Sequence, residues 1–313
     1  NTGWTQADMA AILIKAITFV SIIFLGYGLK RVGFFQEKDF FLLSKIVLKI
    51  TLPAAIASSL AGMELSPSML VLALFGFSSG AVMMFLGYLI NMNRGRKEQG
   101  FAILNVSGYN VGNFALPFVQ SFLGPMGMMA TSLYDSGNAL ICLGGAYSVA
   151  ASVAGVSRDK NPLKSIVKSL AKSVPFLVYL LMITLCLLHI SLPPFILSFA
   201  KTIASGNAFL AMLMLGVGFR IEFNREYTGK LLKYLLLRYI TAGVFALCFY
   251  YCLPFALETR QAMVLITLAP ISSSSPAFTG EIGGDVGLSS ACNSMSILIS
   301  IVVMTVLLLV MLT

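Results

Sequence analysis

The chain has 313 residues, of which 58% are hydrophobic and only 11% are charged, and its formal net charge is +9. A soluble domain carries about 25% charged residues, so this composition excludes a soluble protein and indicates an integral membrane protein. The positive charge does not indicate nucleic acid binding, because the basic residues lie in short linkers between apolar segments. No nucleotide-binding sequence is visible, and we predict no cofactor and no nucleic acid partner.

Ten apolar segments follow one another along the chain, separated by short linkers. They occupy residues 8–29, 41–61, 68–91, 100–123, 126–154, 166–189, 194–219, 230–252, 260–282 and 287–312. About 20 apolar residues in a helix cross a bilayer. The sequence therefore predicts an all-α membrane protein with ten transmembrane helices. The first segment is too long for a signal peptide and lacks a basic region before it, so we predict that it is retained.

The linkers on one side of the predicted membrane are strongly basic. Arg260 is alone on the opposite side, and basic residues accumulate on the cytoplasmic side of membrane proteins. The odd-numbered linkers are therefore predicted to be cytoplasmic and both termini extracytoplasmic. The fifteen basic residues in or beside these linkers are Lys30, Arg31, Lys38, Arg94, Arg96, Lys97, Arg158, Lys160, Lys164, Lys168, Lys172, Arg220, Arg225, Lys230 and Lys233.

Two segments are interrupted by residues that do not suit a membrane helix. The fourth contains NVSGYNVGNFALP at Asn105–Pro117, and the ninth contains ISSSSPAFTGEIGG at Ile271–Gly284. In a helix interior proline costs about 3 kcal/mol and glycine about 1 kcal/mol. Such breaks survive at membrane depth only where protein packs around them or where they line a wet cavity. Matched breaks in two halves of a chain indicate the binding site of a transporter.

The chain also divides into two similar halves. FLLS at Phe41–Ser44 resembles FILS at Phe195–Ser198, and Pro117 and Pro276 hold corresponding places in the interrupted segments. We predict a first five-helix repeat at residues 1–154, a short cytoplasmic linker at 155–165 and a second repeat at 166–313. Because five is an odd number, the second repeat enters the membrane from the opposite side, which makes the repeat inverted.

Several motifs resemble the auxin efflux carrier family of transporters, which includes plant PIN proteins and bacterial permeases. They are GYGLKRVGFF at Gly26–Phe35, KITLPAAIASSL at Lys49–Leu60, NVGNFALPF at Asn110–Phe118, and Pro276 in the ninth segment. The resemblance covers the whole chain. Plant members carry a long cytoplasmic loop between the halves, whereas the linker here has about ten residues. The chain therefore resembles a compact member from a bacterial inner membrane.

The resemblance implies a fold shared with bile-acid sodium symporters. Helices 1, 2, 6 and 7 would form a scaffold, commonly a homodimer, and helices 3–5 and 8–10 would form a transport domain. The broken helices 4 and 9 would cross near their prolines. Movement of the transport domain past the scaffold would give elevator-type alternating access. Family substrates are organic anions (mono- or dicarboxylates) such as auxin, malate and malonate, so the implied protein is a secondary transporter and not an enzyme.

The predicted substrate site lies at the two breaks. A helix N-terminus presents unpaired N–H groups and roughly half a positive charge, which favours an anion. Asparagine both donates and accepts, so Asn110 and Asn113 either bind a carboxylate or only cap the broken backbone. The serines of the second break have the same two possible roles. The predicted substrate-binding residues are Asn110, Gly112, Asn113, Pro117, Ser273, Ser274, Ser275 and Pro276.

Three residues are candidates for ion coupling. Asp135 is an acid within the fifth segment, and an ionisable group at membrane depth is a functional candidate by default. Burial favours the neutral form, so Asp135 could carry a proton. Alternatively it could ligate Na⁺ with Asn138, or pair with a buried lysine. Glu281, five residues after Pro276, is a further candidate for coupling and a third possible Na⁺ ligand beside Asp135 and Asn138, or it is a solvated cap at a helix end.

Alternatives from other classes stay open at this point. A sodium-coupled organic anion symporter of the bile-acid type is the nearest, followed by a channel or receptor. An intramembrane aspartyl protease would need the motif GxGD. Residues 282–285 read IGGD, so isoleucine replaces the first glycine of that motif. The cations outside the linkers are Lys15, Lys45, Lys49, Lys201 and Arg238. Snorkelling to the interface explains Lys45 and Lys49, whereas Lys15 and Lys201 could face an anion path.

Overall fold

A computed structural model describes residues 6–156, 162–220 and 225–312, and these residues form thirteen helices and no extended strand. In chain order the helices are α1 (Gln6–Arg31), α2 (Asp39–Leu60), α3 (Pro67–Ile90), α4 (Arg96–Val106), α5 (Leu116–Phe122), α6 (Pro125–Ala154), α7 (Pro162–Lys172), α8 (Val174–Leu187), α9 (Pro194–Gly218), α10 (Arg225–Cys252), α11 (Leu257–Thr267), α12 (Ser275–Glu281) and α13 (Val286–Leu312).

Seven of the described helices are long and apolar enough to cross a bilayer, namely α1, α2, α3, α6, α9, α10 and α13. Helices α7 and α8 pass the same criterion together, although they are bent by 80°. Helices α4, α5, α11 and α12 have between 7 and 11 residues each and are too short to span a membrane alone. They belong to the two interrupted segments. The predicted all-α membrane architecture is confirmed.

The sixth apolar segment differs from its prediction as one helix over residues 166–189. The chain bends by 80° between α7 and α8, at Ser173. Pro175 is among the first two residues of α8, and the Ser173 hydroxyl accepts a hydrogen bond from the Phe176 N–H at 3.4 Å. Proline suits the first turn of a helix and not its interior, which explains the bend. Helix α7 overlaps the predicted linker 155–165, whose Arg158 and Lys160 lie outside the described residues.

Helices α3 and α6 approach each other closely through two glycines. A Cβ atom on Gly137 would collide with the carbonyl oxygen of Ala73, and one on Gly76 would collide with that of Tyr134. In a membrane, helices associate through van der Waals packing, and small residues allow their backbones to approach. Because α6 also carries Asp135, this contact helps to position that carboxylate.

Replacing Gly137 with alanine should therefore destabilise the protein by about 2 kcal/mol or more, because backbone must move to admit the methyl group. The measurement is the melting temperature of the purified protein in detergent. Gly243→Ala on α10 is a matched control, since a Cβ there meets no atom within 4 Å. Equal melting temperatures for the two variants would contradict the close packing of α3 on α6.

Several cations lie at the C-terminal ends of helices, where backbone carbonyls lack intrahelical partners. Lys15 Nζ donates to the Ser121 carbonyl at the end of α5, at 3.2 Å, so this lysine caps a helix. The other pairs are Lys30 with Phe219 (2.6 Å), Arg96 with Val153 (2.9 Å), Lys233 with Ile90 (3.1 Å) and Arg260 with Tyr250 (3.0 Å).

Candidate functional site

The two interrupted segments meet each other inside the protein. The first break covers residues 107–110, between α4 and a π-helical turn (Val111–Ala115) that leads into α5; the second covers residues 268–274, between α11 and α12. Tyr109 and Ile271 form an isolated antiparallel bridge. The Asn110 N–H also donates to the Pro270 carbonyl at 2.9 Å. Each break thus satisfies part of the backbone that the other leaves free, as membrane depth requires.

Each break is also held by an asparagine from the long helix that follows it. On α6, the Asn138 side chain accepts from the Tyr109 N–H at 3.1 Å and donates to the Tyr109 carbonyl at 2.8 Å. On α13, Asn293 donates to the Ile271 carbonyl at 2.9 Å, and the Ser296 hydroxyl accepts from the Ile271 N–H at 3.0 Å. The two halves of the chain therefore support their breaks in the same way.

A second set of hydrogen bonds ties the helices beside the breaks together. The Ser275 hydroxyl donates to the Leu104 carbonyl at 2.9 Å. The Asn105 amide donates to the Thr279 hydroxyl at 3.1 Å and accepts from the Ser289 hydroxyl. All of these polar groups are buried and paired. Asn105 and Ser275 therefore hold α4 against α12 and α13 and are not free to bind a ligand.

Arg238 on α10 is fully buried beside both breaks. Its guanidinium donates to the Val106 carbonyl at 2.6 Å, the last residue of α4. It also donates to the Ala269 and Pro270 carbonyls just beyond α11, at 2.8 and 3.1 Å. One cation thus caps the C-terminal ends of both broken helices, where the helix dipoles are negative.

A cavity of about 290 Å³, called the central cavity below, lies against the two breaks. One wall is mostly apolar and comes from α2 and α8. The other wall comes from the breaks and from α6. The lining residues are Phe40, Phe41, Ser44, Leu48, Leu52, Tyr109, Asn110, Val111, Gly112, Asn113, Asp135, Asn138, Ala139, Cys142, Leu143, Ser173, Pro175, Phe176, Tyr179, Ser272, Ser273, Ser274 and Ala277.

Two asparagine side chains in this cavity have polar atoms without a partner. The Nδ2 of Asn110 and the Oδ1 of Asn113 are buried and make no hydrogen bond to any described residue. Leaving a buried polar group unpaired costs about 1–3 kcal/mol. Free donor and acceptor groups in a cavity are what a polar ligand would pair with, so Asn110 and Asn113 are suited to binding.

Asp135 connects the two walls of the central cavity. Its Oδ1 accepts from the Asn138 amide at 2.9 Å, and Asn138 in turn holds the first break. Its Oδ2 accepts from the Tyr179 hydroxyl on α8 at 2.8 Å. Asp135 forms no ion pair with a lysine in the described part of the chain, so that alternative is wrong. The carboxylate lies where the two walls of the cavity meet.

A second cavity of about 460 Å³, called the basic vestibule, adjoins the first. Lys30, Lys38 and Arg220 line it, with Glu37 as the one acid among its lining residues. Arg220 and Glu37 form an exposed ion pair at 3.1 Å. The vestibule and the central cavity share the lining residues Phe40, Phe41, Ser273 and Ala277. The shared walls make the vestibule an approach to the central cavity from the end that carries these basic groups.

The structure brings together seven of the predicted site residues in the central cavity: Asn110, Gly112, Asn113, Asp135, Asn138, Ser273 and Ser274. Pro117 is buried at the start of α5, outside the cavity lining, and Pro276 lines the vestibule instead. Glu281 is exposed at the end of α12. The proposed Na⁺ ligand set of Asp135, Asn138 and Glu281 is therefore not assembled, because α12 carries Glu281 away from the cavity.

Four residues of the site were not predicted: Tyr179, Arg238, Ser272 and Asn293. Arg238 had a usable signal, because it is a lone cation well inside an apolar helix and such a cation is a functional candidate by default. Asn293 had a weaker signal, because it lies in the second repeat at a place that corresponds to Asn138 in the first. Tyr179 had none, because a tyrosine in an apolar segment is more often a packing residue.

Long apolar helices arranged around two broken segments, with a polar cavity between them, define an integral membrane protein of the transporter class. A family model described as a membrane transport protein matches residues 11–311, and the chain belongs to this auxin efflux carrier-like family. The family is one of transporters and not of enzymes. A search of curated proteins found no match to the chain.

Proposed function

We propose that this protein is a secondary transporter of small organic anions, mono- or dicarboxylates, and that it binds them in the central cavity. The observation that carries the proposal is the unpaired Nδ2 of Asn110, a free donor at the meeting point of the two breaks. The unpaired Oδ1 of Asn113 beside it can accept from a hydroxyl or a protonated carboxyl group of the ligand. Ser273 and Ser274 add hydroxyl groups on the other side of the same cavity. Hydroxyls and amides can donate to a carboxylate without a full buried charge.

The proposed topology has ten membrane segments in two inverted repeats, with α4–α5 and α11–α12 as the crossing segments. The equivalent roles of Asn138 and Asn293 support it, because each holds the break of its own half from the following long helix. The end that carries the basic vestibule would face the cytoplasm, in line with the distribution of basic linkers. Both termini would then be extracytoplasmic.

The charges of the vestibule favour anions over cations. Three basic groups and one acidic group line it, so its positive potential would concentrate anions at the mouth of the central cavity. The apolar wall formed by α2 and α8 suits the hydrocarbon part of an organic acid. Together the two cavities fit a carboxylate with a short organic body.

The central cavity lies between two groups of helices, which is the place an elevator mechanism requires. Helices α2 and α8 would belong to a scaffold that forms a homodimer, and α6 with the two breaks would belong to the transport domain. Across this boundary the Asp135–Tyr179 hydrogen bond is a polar contact that sliding would break and remake. The apolar remainder of the α2 and α8 wall would let the surfaces slide.

Asp135 would couple transport to a proton. An ionised Asp135 and an anionic substrate in one cavity repel each other, so neutralising the carboxylate favours anion binding. Protein donors already occupy one site on each carboxylate oxygen, which leaves less room for a Na⁺ ion than for a proton. We therefore propose H⁺ coupling, with Na⁺ coupling as the result that a transport assay could return instead.

The test uses Cys142, which lines the central cavity. In a variant whose other four cysteines are replaced by serine, a small anionic thiol reagent should label Cys142. A carboxylate substrate at saturation should slow that labelling by about tenfold or more, because it occupies the same space. The amide of the same acid should protect much less. A panel of mono- and dicarboxylates read in this way would also identify the substrate.

A variant that retains only Cys252 is the control, since that thiol is exposed at the end of α10 and lies outside both cavities. Its labelling should not respond to any carboxylate. Equal protection of Cys142 by the acid and by its neutral amide would contradict an anion site. If a carboxylate is transported but does not slow the labelling of Cys142, the substrate path lies outside the central cavity.

A further inference from the structure

We propose that Arg238 sets the charge selectivity of the central cavity, although it does not line the cavity itself. The inference rests on the proposed function, because it explains how a site without a lining cation can prefer anions. Among the residues that line the central cavity there is no lysine and no arginine, and the one ionisable acid is Asp135. The nearest full positive charge on the described residues therefore lies behind the wall.

Arg238 lies directly behind the wall, one residue away from the cavity. The centre of its guanidinium is 4.9 Å from the ring centre of Tyr109, and Tyr109 lines the cavity. The guanidinium is fully buried and forms no ion pair with a described residue. Its Nε makes no hydrogen bond to the described residues. This is a permanent positive charge whose hydrogen bonds go to three backbone carbonyls and whose face lies against an aromatic ring.

The carbonyls that Arg238 contacts would otherwise oppose an anion. Helices α4 and α11 both end at the breaks, and each helix C-terminus carries about half a negative charge, so the two ends together amount to about one negative charge. The guanidinium bonds to Val106 at one end and to Ala269 and Pro270 at the other. One Arg therefore offsets both ends, and the negative potential they would place beside Asn110 is removed.

Arg238 and Asp135 then define two charge states of the site. With Asp135 ionised, the carboxylate and the guanidinium balance each other across the first break, which Asn138 links to Asp135. With Asp135 neutral, the positive charge of Arg238 is left without a counter-charge, and a bound anion supplies one. Arg238 is thus a positioning and specificity-determining residue that acts on the substrate through the break.

The test compares the rates at which an anionic and a cationic methanethiosulfonate of similar size label Cys142, each divided by its rate with free cysteine. The Arg238 variants are made in an Asp135→Asn background, where Arg238 has no counter-charge, and we expect the cavity of the parent Asp135→Asn protein to favour the anionic reagent. Arg238→Gln should reduce the anion-to-cation ratio by about tenfold or more, because loss of a unit charge shifts the two reagents in opposite directions. Arg238→Lys keeps the charge and should retain the ratio within about threefold.

The ratio distinguishes a charge effect from a purely structural one, because a change in cavity access or in thiol reactivity affects both reagents alike. An unchanged ratio in folded Arg238→Gln would overturn the inference while leaving the anion site intact. A folded Arg238→Lys that loses the preference would also overturn it. An Asp135→Asn protein that retains Arg238 and shows no preference for the anionic reagent would instead contradict the proposed function itself.

If Arg238→Gln is not recovered as a folded protein, Arg238→His replaces it. This variant can be purified at low pH with the imidazole charged and assayed after the pH is raised and the charge is lost. The ratio should fall as the pH rises, beyond any change in the parent Asp135→Asn protein, which controls for the other titratable groups that line the cavity, Tyr109, Tyr179 and Cys142. A ratio that follows this parent protein at every pH would overturn the inference.

Discussion

Replacing Asn113 with leucine should abolish carboxylate uptake and leave the protein folded. The Oδ1 of Asn113 makes no hydrogen bond to the described residues, so its removal takes no such bond from the protein. The Nδ2 of Asn113 is the atom that would donate to a carboxylate, and leucine removes this donor. Hydrogen bonds to charged groups contribute about 1.5–3 kcal/mol. Apparent affinity should therefore fall by roughly 100-fold. The measurement is uptake into proteoliposomes together with the melting temperature.

Asn105→Leu is the matched control for this variant. Asn105 lies in the same interrupted segment, but its amide group is paired on both sides, with Phe101, Thr279 and Ser289. This substitution should lower the melting temperature, because it leaves buried partners unsatisfied at about 1–3 kcal/mol. Asn113→Leu with normal uptake would assign that side chain to holding the break. Asn113→Leu that melts like Asn105→Leu would lead to the same conclusion.

Replacing Asp135 with asparagine should uncouple transport from the proton gradient. The neutral amide mimics the protonated carboxyl group, so anion binding and anion exchange across the membrane should persist. Wild-type protein that moves one proton with each monoanion should accumulate substrate about tenfold at a gradient of one pH unit. Asp135→Asn should reach only the external concentration. The assay is uptake into proteoliposomes with and without a pH gradient, in Na⁺ and in choline.

Tyr179→Phe is the control for Asp135→Asn, because it removes one hydrogen bond to the carboxylate and leaves its charge in place. That variant should retain proton-driven accumulation, at an altered rate if the contact separates during transport. Accumulation by Asp135→Asn that equals the wild type would remove Asp135 from coupling. Wild-type accumulation that needs Na⁺ and ignores the pH gradient would assign the carboxylate to sodium instead.

The outer architecture was predictable because bilayer thickness constrains sequence strongly. Long apolar segments had to become helices, and the breakers around Asn110 and Ser273 had to leave those segments interrupted. The bend at Ser173 was not predicted, although Pro175 marks it. Hydropathy is averaged over many residues, so it does not separate α7 from α8. In contrast, a single proline in the first turn can fix where a helix begins.

A helical membrane protein with two matched breaks and an acid, Asp135, within the apolar region can be predicted from the residue pattern alone. Which polar residues face the cavity depends on how the helices pack. Asn105 and Asn113 have the same side chain in one segment, yet one is fully paired and the other is not. Similarly, Ser275 bonds across to α4 while Ser273 and Ser274 line the cavity. The reason is that hydrogen-bond partners come from helices distant in sequence, and no local pattern encodes which group will find one.

Arg238 is the clearest example of a residue whose partners cannot be predicted from the sequence around it. Along the chain it is the one cation in the apolar part of α10, 132 residues from Val106 and 31 residues from Ala269. Folding places it where two helix C-termini converge, and that convergence exists only once both halves have packed. The sequence shows that residue 238 is a cation, but the groups whose charge it offsets depend on the packing of the helices.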